Sequence, residues 1–89
     1  MQTRELEITN RYGLHARACA RIVMLASRFR CKVLLTCGAQ RASARNIVAV
    51  MLLAAAMGAT VRIETDGPDE QAAMTAMVQL LHEGLSERG

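Results

Sequence analysis

The chain has 89 residues, is 52% apolar but only 2% aromatic, and carries a formal net charge of +3. A chain this short fits one domain, residues 1–89, with a core built from Leu, Ile, Val, Ala and Met. No apolar run approaches the roughly 18 residues that span a bilayer, and the polar start MQTRELEITN is unlike a signal peptide, so a soluble, cytoplasmic monomer without membrane insertion is expected.

In chain order, RELEIT at 4–9 alternates, with Leu6 and Ile8 on one face, and reads as a strand. NRYG interrupts it. From Ala16 to about Phe29, Cys19, Ile22, Val23 and Ala26 recur at helical spacing, while Arg17, Arg21, Met24 and Arg28 form the opposite stripe. CKVLLTC at 31–37 is a strand, and GAQRASA at 38–44 is a weaker one joined to it by a turn at Gly38. Asn46 is placed as an N-cap, followed by the helix IVAVMLLAAAM up to Gly58. ATVRIET alternates again, with Val61, Ile63 and Thr65 on one face. After the DGP turn, residues 69–84 form a helix with an acidic first turn and with Ala73, Met74, Met77 and Leu81 inward. The order β-α-β-β-α-β-α implies an α+β open-faced sandwich: a four-stranded antiparallel sheet covered on one face by three helices.

Cys19, Cys31 and Cys37 are odd in number and lack C-x-x-C spacing. They are expected to be small buried hydrophobes, with neither a metal site nor a cofactor. The positive charge is almost all arginine, which suits an acidic protein partner. Nucleic acid is disfavoured, because Tyr12 and Phe29 are the only aromatic platforms.

The chemistry concentrates in YGLHARACA, residues 12–20. His15 sits between a glycine turn and a helix start, where the first N–H groups lack intrahelical acceptors and the dipole is positive. Such a terminus holds a phosphate through the backbone N–H groups of Ala16, Arg17 and Ala18, and the Arg17 guanidinium adds charge and further donors. A neutral imidazole there is a nucleophile toward phosphorus and a good leaving group. On the site alone, an ordinary solvated histidine remains the commoner explanation.

GLHAR at 13–17, with NIVAVMLLAAAMGATVRIETDGPDE from residue 46, resembles the histidine-containing phosphocarrier (HPr) family of the bacterial phosphotransferase system. The likeness spans essentially the whole chain, and EITN near the start is similar to the nitrogen-related branch. It implies that His15 takes a phosphoryl group on Nδ1 from enzyme I, itself charged by phosphoenolpyruvate, and passes it to an enzyme IIA. It further implies that Arg17 steadies the phosphate. The alternative is a regulatory HPr-like protein in which phosphorylation of His15 controls docking to targets.

Two positions depart from the family pattern. Ala18 stands where most members have proline, and a looser site is expected there. Asn46 stands where regulated members carry a phosphorylatable serine; the cap survives, the hydroxyl does not. For docking, helical spacing turns Ile47, Val48 and Met51 away from Val50 and Leu53, although a core position for Val48 is an equal alternative. With Arg21 and Met24 they form an apolar centre with a basic rim. In the family the corresponding face meets enzyme I and the IIA partners.

Overall fold

The computed structural model describes residues 1–84. Its elements are β1 (Gln2–Glu7), α1 (Ala16–Ala26), β2 (Lys32–Cys37), β3 (Gln40–Ser43), α2 (Ile47–Leu52), β4 (Thr60–Asp66) and α3 (Glu70–Gln79), the last running into a π turn over Leu80–Gly84. The sheet order is β1-β4-β2-β3, antiparallel throughout, with Leu6 opposite Val61 and Leu35 opposite both Ile63 and Ala42. Period-two alternation puts Val33, Leu35, Ala42, Val61, Ile63 and Thr65 on the face under the helices. There they meet Ile22 and Ala26 of α1, Val50 of α2, and Ala73, Met74 and Met77 of α3. Thr65 is the one buried polar residue in this layer, and its hydroxyl donates to the Glu70 carbonyl at 2.9 Å. That bond removes the cost of burying an unpaired hydroxyl. The opposite face is solvated and carries the Arg41–Glu64 and Arg62–Glu5 pairs.

Element order and sheet architecture follow the sequence pattern, whereas several boundaries differ. β1 starts two residues earlier and ends at Glu7. Ile8, beyond it, is buried and keeps ladder-like bonds to Gly58 and Ala59. α1 stops at Ala26, not Phe29, because the chain tightens: Arg28 N–H donates to Leu25 and Phe29 N–H to Ala26. The weaker strand is only Gln40–Ser43.

The largest difference is at α2, which ends at Leu52 and not at Met57. Ala54 has φ +51°, and Ala55 swings back so that its carbonyl accepts the Leu14 N–H at 2.9 Å. An alanine run is a strong helix signal, but a tertiary contact outcompetes it here.

Asp69 also behaves unexpectedly. It occupies the N-cap position of α3 without capping that helix; its carboxylate instead accepts the N–H groups of Arg30 and Cys31 at 2.8 and 2.9 Å. The Arg30 bond is the main reason its carboxyl lies below the usual carboxylate range, with the Cys31 N–H adding to it. Glu70 is likewise lowered, first by the Met1 ammonium and then by the Gly67 N–H.

Two expected outcomes follow. Gly13 has φ +61°, and a Cβ there would lie 2.4 Å from the Ala55 carbonyl oxygen, which is backbone and cannot swing aside. Gly13→Ala should therefore cost at least about 2 kcal/mol, combining backbone strain with overpacking, as read from denaturant unfolding. For Asp69, the folded-state pKa is the depressed one. Its contribution is complete above the ordinary aspartate range and is lost as pH falls through the lower folded value. Asp69→Asn should flatten that part of the acid-unfolding curve.

Candidate functional site

His15 is itself the N-cap of α1, with φ −75° and ψ 174°. Its carbonyl receives the first helical bond, from Cys19 N–H at 2.9 Å. Its Nδ1 accepts the Ala18 N–H at 3.4 Å, as the side-chain oxygen of an N-cap serine would. An acceptor nitrogen carries its lone pair, so the neutral ring has its proton on Nε2. Nε2 is buried and meets no hydrogen-bonding partner among the described residues. The ring is half-buried, and Tyr12 lies edge-on to it with centroids 6.2 Å apart.

The preceding loop is fixed almost entirely through backbone groups. Gly13 N–H donates to Asn10 at 3.1 Å, and the Asn10 amide returns a bond to the Gly13 carbonyl at 2.6 Å. Leu14 is buried with both backbone groups used: its N–H goes to Ala55, and its carbonyl accepts the Cys19 thiol at 3.3 Å. Burial raises the pKa of Cys19, keeping it a protonated donor. Burial also raises that of Cys31, with the Asp69 contact as a further cause.

Around this ring, Ala16 and Arg17 are exposed in the first turn of α1, and Ala18 is buried at 1% exposure. Ala16, Arg17 and Ala18 thus supply the helix N-terminus beside the imidazole, with the Arg17 side chain at the surface. His82 stands elsewhere, on the π turn after α3.

The apolar residues singled out on α2 are exposed: Ile47 by 39%, Met51 by 45% and Val48 by 61%, while Val50 and Leu53 are buried. Val48 is therefore a surface residue and not part of the core. On α1, Met24 is exposed and Arg21 is half-buried. Tyr12, Leu52 and Met57 are also exposed apolar side chains, and sequence reasoning missed them. Leu52 and Met57 were hidden inside an overlong helix, where they carry no distinguishing period. Tyr12 lies in a strand-breaking loop, where no period marks a side chain as exposed. Asn46 caps α2 as expected, its side-chain oxygen accepting the Ala49 N–H at 3.1 Å.

Among the described residues, no three His, Cys, Asp or Glu side chains come together as metal ligands, and no helix is long and apolar enough to cross a membrane. What the arrangement offers is an imidazole whose Nδ1 faces a positive helix end, in a protein that also exposes apolar side chains on α1 and α2. That is equipment for taking and giving a phosphoryl group during brief contact with another protein.

Comparison with known proteins agrees. The family model described as PTS HPr component phosphorylation site matches residues 2–83. A protein of Cupriavidus necator named phosphocarrier protein HPr is 46% identical over 81 residues, spanning 91% of each chain. One of the same name from Xylella fastidiosa is 40% identical over 87 residues, spanning 98% of each. Among solved structures, HPr-C-His from Thermoanaerobacter tengcongensis superposes with a TM-score of 0.88 at 33% identity, covering 92% of each chain. An HPr from Bacillus anthracis superposes with a TM-score of 0.85 at 26% identity.

The docking face yields a test. Met51 is exposed on α2, so Met51→Glu should leave the unfolding midpoint nearly unchanged. It should weaken binding to the phosphoryl donor by about 1–3 kcal/mol, as for a central interface residue, measured by calorimetric titration.

Proposed function

The chain belongs to the HPr family, the phosphocarriers of the phosphoenolpyruvate-dependent phosphotransferase system, and from that premise we propose that His15 is its phosphoryl-accepting residue. The observation that carries this reading is the placement of His15 as N-cap of α1, where Nδ1 accepts the Ala18 N–H and so faces the helix N-terminus.

In the accepting step, the Nδ1 pair attacks phosphorus in the phosphohistidine of enzyme I. The donor's P–N bond breaks, and its electron pair stays on the donor nitrogen. The proton on Nε2 stays in place, and the positive charge left on the ring is offset by the phosphoryl oxygens. Those oxygens come to rest against the positive end of α1, with the backbone N–H groups of Ala16 and Arg17 and the Arg17 guanidinium supplying donors. Onward transfer to an enzyme IIA reverses these roles, because the imidazole is then the leaving group. One site serves both directions, so the protein works as a stoichiometric intermediate in the relay.

Both partners must dock over the same histidine and leave again. Ile47, Val48, Met51 and Met24 supply the apolar centre, and Arg17 and Arg21 the basic rim, with Leu52 and Met57 extending the apolar area. Charge at the rim speeds encounter more than it tightens binding. An acidic face on enzyme I and on the IIA partner is the matching chemistry. Asn46, which lacks a hydroxyl, makes the start of α2 unresponsive to an HPr kinase while keeping the cap.

Incubation with enzyme I and labelled phosphoenolpyruvate should add one acid-labile, base-stable phosphate, and His15→Ala should abolish it. Label that survives in His15→Ala, or that maps to His82, would overturn the assignment. Delivery of that label to an enzyme IIA distinguishes a relay from a protein that is only modified. Mass spectrometry after treatment with an HPr kinase should find the wild type unmodified; a phosphate on Ser43 would show the switch to lie elsewhere.

A further inference from the structure

The Ala18 amide stands in the way of the reaction it adjoins. An attacking nitrogen and its phosphorus must be about 3–3.5 Å apart and aligned along the lone pair before the bond forms. Here the Nδ1 lone pair points at the Ala18 nitrogen, 3.4 Å away. The position an incoming phosphorus needs is occupied by backbone, and that backbone belongs to a buried residue in the first turn of a helix.

We propose that the Ala18 N–H holds His15 in a resting orientation, and that the imidazole must turn off this amide before it accepts a phosphoryl group. The proposal rests on His15 being the acceptor and adds to it a step that precedes chemistry. Ala18 is thus a positioning residue: its amide touches the nucleophile only in the resting state. Three features support the assignment. The bond is long for an N–H hydrogen bond, so it costs little to break. The ring's other nitrogen has no partner among the described residues to hold the ring in place. The neighbouring aromatic, Tyr12, is itself exposed and meets the ring edge-on, so it makes no stacked contact that rotation would have to break.

The lock is specific to a chain with a residue other than proline at this position. Proline has no N–H, so members of the family with proline after the arginine lack the donor.

The test compares wild type with Ala18→Pro and Ala18→Gly. Proline is tolerated in a first helical turn and removes the donor; glycine keeps the donor while weakening the helix. Nitrogen-15 spectra of His15 in the free wild-type protein should show the proton on Nε2, and Ala18→Gly should retain that tautomer. Ala18→Pro should give a mixture of both tautomers. In single-turnover transfer at saturating phospho-enzyme I, Ala18→Pro should accept the phosphoryl group about threefold to tenfold faster, the factor expected for releasing one neutral hydrogen bond. A slower or unchanged rate in a folded Ala18→Pro protein would overturn the proposal. So would a wild-type spectrum with the proton on Nδ1, a result that stands even if the proline variant does not fold. Absence of phosphate from His15 in the wild type would overturn the acceptor assignment instead, and the tautomer measurement would still judge the lock.

Discussion

The site depends on a contact in which no side chain takes part. Gly13 lets the segment around Ala55 approach so closely that a single added carbon would overlap a carbonyl oxygen, and the Leu14 N–H closes the gap with a hydrogen bond. This junction sets where α1 begins, and hence which residue becomes its N-cap. It also ends α2, since Ala54 adopts a left-handed conformation to bring Ala55 into place. For a residue with a Cβ that conformation costs on the order of 1–2 kcal/mol, offset by the contact it permits. The reactive loop and the docking helix are thus two sides of one backbone contact.

α1 is also anchored at its far end. The turn between α1 and β2 is gripped by opposite charges: Asp69 takes the N–H groups of Arg30 and Cys31, and the Arg45 guanidinium donates to the carbonyls of Phe29 and Cys31. Arg45 immediately precedes Asn46, the cap of α2. The two helices that frame the site therefore share a support on the side away from His15. A frame held at both ends suits a reaction that is mostly a matter of alignment.

Much of this was legible in the residues. Alternation in ATVRIET placed Val61, Ile63 and Thr65 on the inner face correctly, because a strand with one buried side has a fixed register. Helical spacing likewise separated Ile47, Val48 and Met51 from Val50, the period-3.6 signal being local to a single turn. Two of the missed features are long-range. Nothing within MLLAAAMG announces that the Ala55 carbonyl will be recruited by Leu14, 41 residues earlier in the chain. Asp69 at the head of a helix reads as a cap until the turn at Arg30 and Cys31 is brought alongside. His15 was recognised by its neighbours in sequence, but its hydrogen bond to Ala18 depends on a side-chain rotamer, which sequence patterns do not encode.

The exposed apolar surface contains Met24, Met51 and Met57. Thioethers on unbranched, flexible chains adapt their shape to different surfaces, which suits a protein that faces a donor and then an acceptor of unrelated shape. The same atoms are open to oxidants. Conversion to the sulfoxide makes a flexible apolar side chain polar and chiral, and here it would strike the contact surface while leaving the core methionines Met74 and Met77 shielded. Oxidative damage would thus alter the exposed face of a protein whose core and histidine stay intact, a lesion that methionine sulfoxide reductases can reverse.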